Sequence, residues 1–383
     1  MARPRWHGAL AVLDEVRRTP GITRVALARR LGLSSGGATD LTTRLRGLNL
    51  LVETPAPAVG RGRPTTVLAP HPDGPAVLAV DLRHGDWRCA VAGLDGSPRV
   101  IASARHADRS PDRVRAEIGR AVRRVADRLG DRLRVVAVSV AGTVRDGRVL
   151  QASTLGWGPV DLAPLAPPGL PLLVENDATL GGVAEARGGA AAGSSTALHV
   201  TVEVGLGGCV TVDGRPVRGA TGAGGEFGHL PFGDRALRCP CGAAGCWDLM
   251  VDGRALARHL GEQAPTDPRT YAAAVLARPD PAARAAVAVV ATALGAGVAG
   301  LVNALDPEVV TLGGLAVPLR AGAPTAFATA FTQGLMAFRR PTPPPVRDAA
   351  LGGDGALHGA ATTALDALLT EEMLDAWVHR GGG

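Results

Sequence analysis

Within residues 224–248, GGEFGHLPFGDRALRCPCGAAGCWD, four side chains can hold a metal ion: His229, Cys239, Cys241 and Cys246. One imidazole and three thiolates make a complete tetrahedral zinc set. The C-x-C-x4-C spacing lies in glycine-rich backbone that can fold around an ion, and a closed four-ligand set implies a structural role. The alternative, free buried thiols, does not explain why the glycines and cysteines cluster. A zinc finger that reads DNA needs a basic helix after its ligands. The following WDLMVDGRAL is not markedly basic, so this segment is not expected to read DNA.

A second constellation is ENDATLGG, residues 175–182, directly after the apolar run LPLLV. Asn176 offers a donor and an acceptor and Asp177 a strong acceptor, which suits vicinal hydroxyls, and an aspartate at a cleft can serve as a general base. The plainer reading is that Asn-Asp after a strand forms a turn or caps a helix.

These residues need elements to carry them. From about residue 76 strands alternate with helices: AVLAVDL, RCAVAGL, an amphipathic helix using Val114, Ile118, Val122, Val125 and Leu129, then RVVAVSV. That alternation predicts an α/β fold. VLAVDLRHGDWRCAVAGLDG (77–96) and LHVTVEVGLGGCVTVDG (198–214) are both strand, glycine-containing turn, strand, and both end in Asp-Gly. The echo predicts two related lobes with a cleft between them, where ligands bind. Residues 285–302, AAVAVVATALGAGVAGLV, reach the length of a membrane span, but their alanine and glycine content predicts a tightly packed buried helix.

The first 74 residues are different. They hold eleven arginines against five acids, whereas the remainder is neutral, so the whole net charge of +6 sits in this part and predicts a polyanionic partner. The chain contains no lysine. Helices are expected over 6–18, 23–32 and about 35–47, with Ser34 as an N-cap, followed by strands LLVET and TTVLA joined by PAPAVGRGRP. This is a winged helix-turn-helix, its third helix suited to the major groove. Ser35, Thr39, Thr42, Thr43 and Arg44 are candidates for base or phosphate contact, although Gly36 and Gly37 each cost that helix about 1 kcal/mol. Arg61 and Arg63, on the unbulky GRGRP tip, can enter a narrow minor groove; the alternative is a solvated linker. The expected division is 1–74 for DNA and 75–383 for a ligand. No signal-peptide order opens the chain, and five cysteines, three of them clustered, do not make a disulfide framework. A cytoplasmic location is expected, with no membrane partner.

With these pieces in order, the chain resembles the ROK family of repressors and sugar kinases, and specifically its winged-helix transcriptional regulators. The resemblance rests on GRGRP, VSVAGTVRDGRVLQAS, ENDATLGGVAE, GLGGCVTVDG…GATGAGGEFGH, CPCGAAGCWD and VNALDPEVVTLGG, in the family's order and over nearly the whole chain. It implies an actin-like fold of two lobes (ASKHA, sugar kinase type) behind the winged helix, with a sugar in the cleft. By motif, Asn176, Asp177, Glu226 and His229 would contact sugar hydroxyls and His229 would also bind zinc. The family's zinc motif ends in Cys-x-Glu, with that glutamate on the sugar; the resemblance makes Asp248, at that place but one methylene shorter, a further candidate sugar contact, either direct, water-mediated or lost. Kinase members share an Asp-x-Gly-Gly-Thr turn and a Gly-Thr-Gly turn for phosphates, whereas this chain has DLRHGD from Asp81 and EVGLG from Glu203. Side chains obstruct the first turn and Glu203 adds negative charge to the second, so ATP binding is expected to be impaired. The expectation is therefore a sugar-responsive repressor without catalytic residues. It would bind double-stranded operator DNA as a homodimer or homotetramer. The runner-up is an ATP-dependent sugar kinase with a DNA-binding appendage, using Asp177 as its base. A third reading is a regulator that answers to a protein or a sugar phosphate and leaves the cleft unused.

Overall fold

The structure, a computed structural model, describes residues 6–56 and 66–380. Three helices open it, α1 (His7–Arg18), α2 (Arg24–Arg30) and α3 (Ser35–Gly47). Thr23 and Ser34 cap the second and third by accepting from Ala26 N and Gly37 N. Two antiparallel strands follow, β1 (Leu51–Pro55) and β2 (Thr66–Pro70), with Thr23 bridging to Val67 as a third short rung. The tip between them, with Arg61 and Arg63, lies outside the described residues.

Two five-stranded sheets then repeat one plan. In the first, β3 (Ala76–Leu82), β4 (Asp86–Ala92) and β5 (Arg99–Arg105) run as an antiparallel meander, and β3 pairs in parallel with β6 (Leu133–Val140), which pairs in parallel with β9 (Leu172–Asn176). In the second, β10 (Thr196–Glu203), β11 (Gly205–Val212) and β12 (Arg215–Pro216) form the meander, and β13 (Val309–Gly314) and β14 (Val346–Asp348) the parallel strands. The echo between residues 77–96 and 198–214 is thus a repeat of two sheets with identical strand order. Between β6 and β9, β7 (Thr143–Arg145) and β8 (Arg148–Gln151) make a small hairpin.

Helix α4 (Pro111–Leu129) covers one face of the first sheet with Val114, Ile118, Val122 and Val125, the apolar stripe its spacing requires. Between the two sheets lie α5 (Asp177–Gly188), packed on β10 and β11, and α11 (Gly355–Leu368), packed on β3 and β6; the two helices also pack on each other. The outer face of the second sheet is covered by α6 (Gly253–Leu260), α7 (Pro268–Leu276), α8 (Pro281–Leu305), α9 (Ala316–Gly322) and α10 (Pro324–Gly334). The apolar run 285–302 lies within α8, whose Val287, Val290, Leu294, Val298 and Val302 are buried in that core, as expected of a core helix.

The N-terminal unit is not tethered loosely. Its core residues Trp6, Leu13, Val16, Leu27, Leu45 and Leu50 belong to one continuous apolar cluster with Leu365 and Leu368 of α11 and Leu374 of the last helix, α12 (Glu371–Arg380). Trp6 Nε1 donates to Asp375 at 2.5 Å and Trp377 Nε1 to the Leu48 carbonyl at 2.8 Å.

Candidate functional site

On the N-terminal unit, the structure separates the residues expected to meet DNA. Ser35, Thr43 and Arg44 are exposed and Thr39 is half-buried on α3, with the Thr39 hydroxyl donating back to the Ser35 carbonyl. Thr42 corrects the sequence reading: it is fully buried, and its hydroxyl donates to the Ala38 carbonyl at 2.8 Å, so it packs the unit and cannot meet DNA. The Arg44 guanidinium lies 3.8 Å over the Trp6 ring, which fixes its direction by cation–π attraction. Much of the remaining positive charge is spent internally. Arg24 and Arg46 share Glu53, Arg30 pairs with Glu15 and Arg18 with Asp14. Among the described residues, only Arg29 and Arg44 of this unit's arginines have no carboxylate within 4 Å, so outward charge concentrates on α2 and α3.

The metal set comes together as its spacing predicts. The ligand atoms of His229, Cys239, Cys241 and Cys246 all lie within 4.8 Å of one another. Cys241 Sγ and Cys246 Sγ are 3.7 Å apart, and Cys239 Sγ and His229 Nδ1 3.8 Å. A tetrahedron with Zn–S bonds of ~2.3 Å and a Zn–N bond of ~2.0 Å has edges of about 3.5–3.8 Å. The donors therefore fit zinc, and this is a structural zinc site. Gly242, at φ +98°, makes the tight turn between Cys241 and Cys246 that a side chain would strain. With Nδ1 given to the metal, the His229 Nε2 points to Glu226, 3.7 Å from Oε2. A zinc-bound imidazole whose other nitrogen is a directed N–H donor is a common way to orient a ring.

That Nε2 and Glu226 face a cavity of about 520 Å³ between the lobes, lined also by Asn176, Asp177 and Asp248. Glu226 Oε1 accepts from the Thr143 hydroxyl at 2.7 Å, a partner the sequence reading missed although it stands in the AGTVRDG motif. Asn176 is first a structural residue. It caps α5 by accepting from Thr179 N, and its amide donates to the Gly142 carbonyl. Asp177, the first residue of α5, accepts from Ala178 N at 2.8 Å. Burial pushes its carboxyl up to about 7, helped by the negative charges of Asp81, Glu203 and Glu226 and opposed by the Ala178 hydrogen bond.

This has a thermodynamic consequence. Because the folded-state value of about 7 exceeds the ordinary 3.8, folding favours the neutral carboxyl. The associated stability is complete only below pH 3.8 and is lost progressively as the pH rises from there through 7. Asp177→Asn, which keeps the shape without the charge, is expected to stabilise the protein by about 2 kcal/mol at pH 8 and far less at pH 5. Scanning calorimetry at the two pH values measures this, and equal gains at both would contradict it.

Asp248 is nearly buried, and both its oxygens are occupied: Oδ1 accepts from Leu206 N at 2.6 Å and Oδ2 from Arg254 at 3.1 Å. Asp252, wholly buried, accepts from Gly205 N at 3.0 Å and from Arg254 Nε at 2.7 Å. The two backbone amides of the glycine turn between β10 and β11 are thus taken by the protein's own carboxylates. Glu203, beside them, pairs with Arg269 at 2.9 Å. At the first turn, Arg83 lies 3.3 Å from Asp81 and 3.0 Å from Asp86, and Arg88 2.8 Å from Asp81. Arg254 and Arg269, which line the cleft, and Asp252, buried behind Arg254, were not anticipated. DGRAL, just past the cysteines, was the available signal for Asp252 and Arg254.

A family model described as the ROK family matches residues 77–367. Among curated relatives, a glucokinase of Streptomyces coelicolor is 29% identical over 196 residues, 50% of this chain and 61% of the enzyme. The chain therefore spans less than two thirds of that relative's length. A xylose repressor of Bacillus spizizenii is 22% identical over 257 residues, 65% of this chain and 66% of the repressor. Among solved structures, a ROK family transcriptional regulator described as a homolog of the E. coli Mlc protein aligns with a TM-score of 0.76. It covers 97% of this chain and 98% of that one at 22% identity, and so shares the fold along the full length.

Proposed function

The chain belongs to the ROK family, and from that premise we propose that it is a sugar-responsive, DNA-binding transcriptional regulator, a cytoplasmic repressor of carbohydrate-related genes. Residues 1–74 are its winged helix-turn-helix and 75–383 its ligand-binding part. Ser35, Thr39, Thr43 and Arg44 meet DNA, joined by Arg61 and Arg63. Asn176, Asp177, Glu226 and the zinc-held His229 meet the sugar. Asp248 serves the cleft through the Leu206 amide and Arg254 rather than by reaching a hydroxyl itself.

The observation that carries the reading is the capped glycine turn. Backbone N–H groups of such turns cradle phosphates only when they are free. Here Gly205 N donates to Asp252 and Leu206 N to Asp248, with Glu203 adjacent. A nucleotide would have to displace two buried charged hydrogen bonds and approach a third carboxylate. The cleft then retains sugar-binding groups without a phosphoryl donor, behind a basic N-terminal unit. A homodimer or homotetramer would set two such units on an inverted repeat, and sugar that favours one arrangement of the lobes would shift DNA affinity.

In a mobility-shift assay near 150 mM salt, the protein is expected to bind DNA from its own upstream region at least about 100-fold tighter than random duplex. Equal affinity for both would end this reading. The second reading, a sugar kinase, is favoured by Asp177 at the cleft and by the glucokinase relative. ADP release over a hexose panel, abolished by Asp177→Asn, would establish it instead.

A further inference from the structure

The cleft is longer than one sugar ring. Along the first sheet, Asn176 pairs with Val140, Val140 with Leu82, and Asp86 with Arg105, so the ends of β9, β6, β3, β4 and β5 form one continuous wall. Asn176, Asp81, Asp86 and Arg105 from β9, β3, β4 and β5, and Ala141 just past β6, all line the same cavity. Four strand spacings separate β9 from β5, about 19 Å at ~4.8 Å each. The zinc-held His229, Glu226 and Asp177 occupy only the β9 end. Opposite the far end, the second lobe presents Asp267, Arg269 and Thr270, at and just within the start of α7.

The chemistry of that far half restricts what can lie there. Arg83, Arg105 and Arg269 face Asp81, Asp86, Glu203 and Asp267, so it carries no positive excess to hold a phosphate. The amides that could have held one are bonded to Asp248 and Asp252. What remains is a set of side chains whose charges pair with one another, as Arg83 does with Asp86 at 3.0 Å and Arg269 with Glu203 at 2.9 Å. Each guanidinium still has spare N–H donors and each carboxylate spare lone pairs. Paired donors and acceptors at no net positive charge match hydroxyl groups, which both donate and accept.

We propose that the ligand is a disaccharide or larger glycoside. One ring lies against Asn176, Asp177, Glu226 and His229, and a second, glycosidically joined ring lies between the Arg83–Asp86 pair and Arg269. The inference rests on the cleft being the sugar site. A monosaccharide would leave the far polar half to water and forgo its hydrogen bonds.

The test is calorimetric titration of the full zinc-loaded chain with glucose, galactose and xylose and with disaccharides built from them: cellobiose, maltose, trehalose, lactose, melibiose and xylobiose. At least one disaccharide is expected to bind tenfold or more tighter than either of its component sugars. Arg269→Ala is expected to close that gap, whereas Glu226→Ala removes binding of both classes. If monosaccharides bind as tightly as every disaccharide containing them, or Arg269→Ala leaves the gap intact, the second ring site is wrong while the sugar reading stands. If no sugar gives heat and none raises the melting temperature, both fall together.

Discussion

Cys241→Ser is expected to release the zinc and lower the melting temperature by about 5 °C. The site has four ligands and no open position, so a serine oxygen cannot replace the thiolate's affinity, and metal-binding free energy here is folding free energy. The loop has little else to hold it. Its apolar contacts are Cys239, Cys246 and Leu249, with Leu237 and Cys241 at the margin. The damage spreads because the loop leads directly into Trp247, which is buried in the second lobe's core, lies tilted at 55° to the Phe232 ring with centroids 5.9 Å apart, and donates to the Ala293 carbonyl. A loss of about 4 kcal/mol, well below what an isolated zinc knot forfeits, gives a shift of that size. The same change frees the His229 ring, so under the proposed function sugar affinity should fall with the metal content. Elemental analysis and thermal denaturation of the purified variant check both parts. One zinc per chain retained with an unchanged melting temperature would remove Cys241 from the ligand set.

The zinc set was legible because its ligands are close in sequence and glycine-rich backbone limits what they can do. The two lobes were legible because each begins with the same hairpin. The capped turn was not. Asp248 and Asp252 stand more than forty residues beyond Gly205 and Leu206, and the packing of the short helical turn Trp247–Met250 against β11 brings them together. Thr42 was readable in principle, since Ala38, Thr42 and Leu45 share a helical face and all are buried. A polar residue type outweighed the periodicity, although a threonine that bonds the carbonyl four residues back is at home on a buried face. The docking of the N-terminal unit onto α11 and α12 had no sequence signal, because it joins residues more than 300 positions apart.

That docking makes Trp6→Ala the second large effect. Trp6 has no solvent exposure, donates to Asp375 and supports Arg44 on its ring. Truncating a fully buried tryptophan costs about 3–5 kcal/mol. Because the apolar cluster around it is shared with α11 and α12, the intact protein is expected to unfold these parts in one calorimetric transition, and the variant to split off an earlier one. Charge reinforces the junction: Asp366 of α11 accepts from Arg17 of α1 at 2.7 Å and from Arg187 of α5 at 2.9 Å. Helix α5 begins at Asp177 in the cleft, and the first residues of α11, Gly355 and Ala356, also line it. A rigid N-terminal unit seated on helices that start at the ligand site can follow the lobes as they move; one on a free linker could not. Under the proposed function, Trp6→Ala should therefore weaken operator binding and abolish its response to sugar while leaving sugar affinity within about twofold. Mobility shifts with and without the identified sugar, beside calorimetric titration, measure the three quantities. Two transitions in the unaltered protein, or a sugar response that survives Trp6→Ala, would show that the unit moves independently of the cleft.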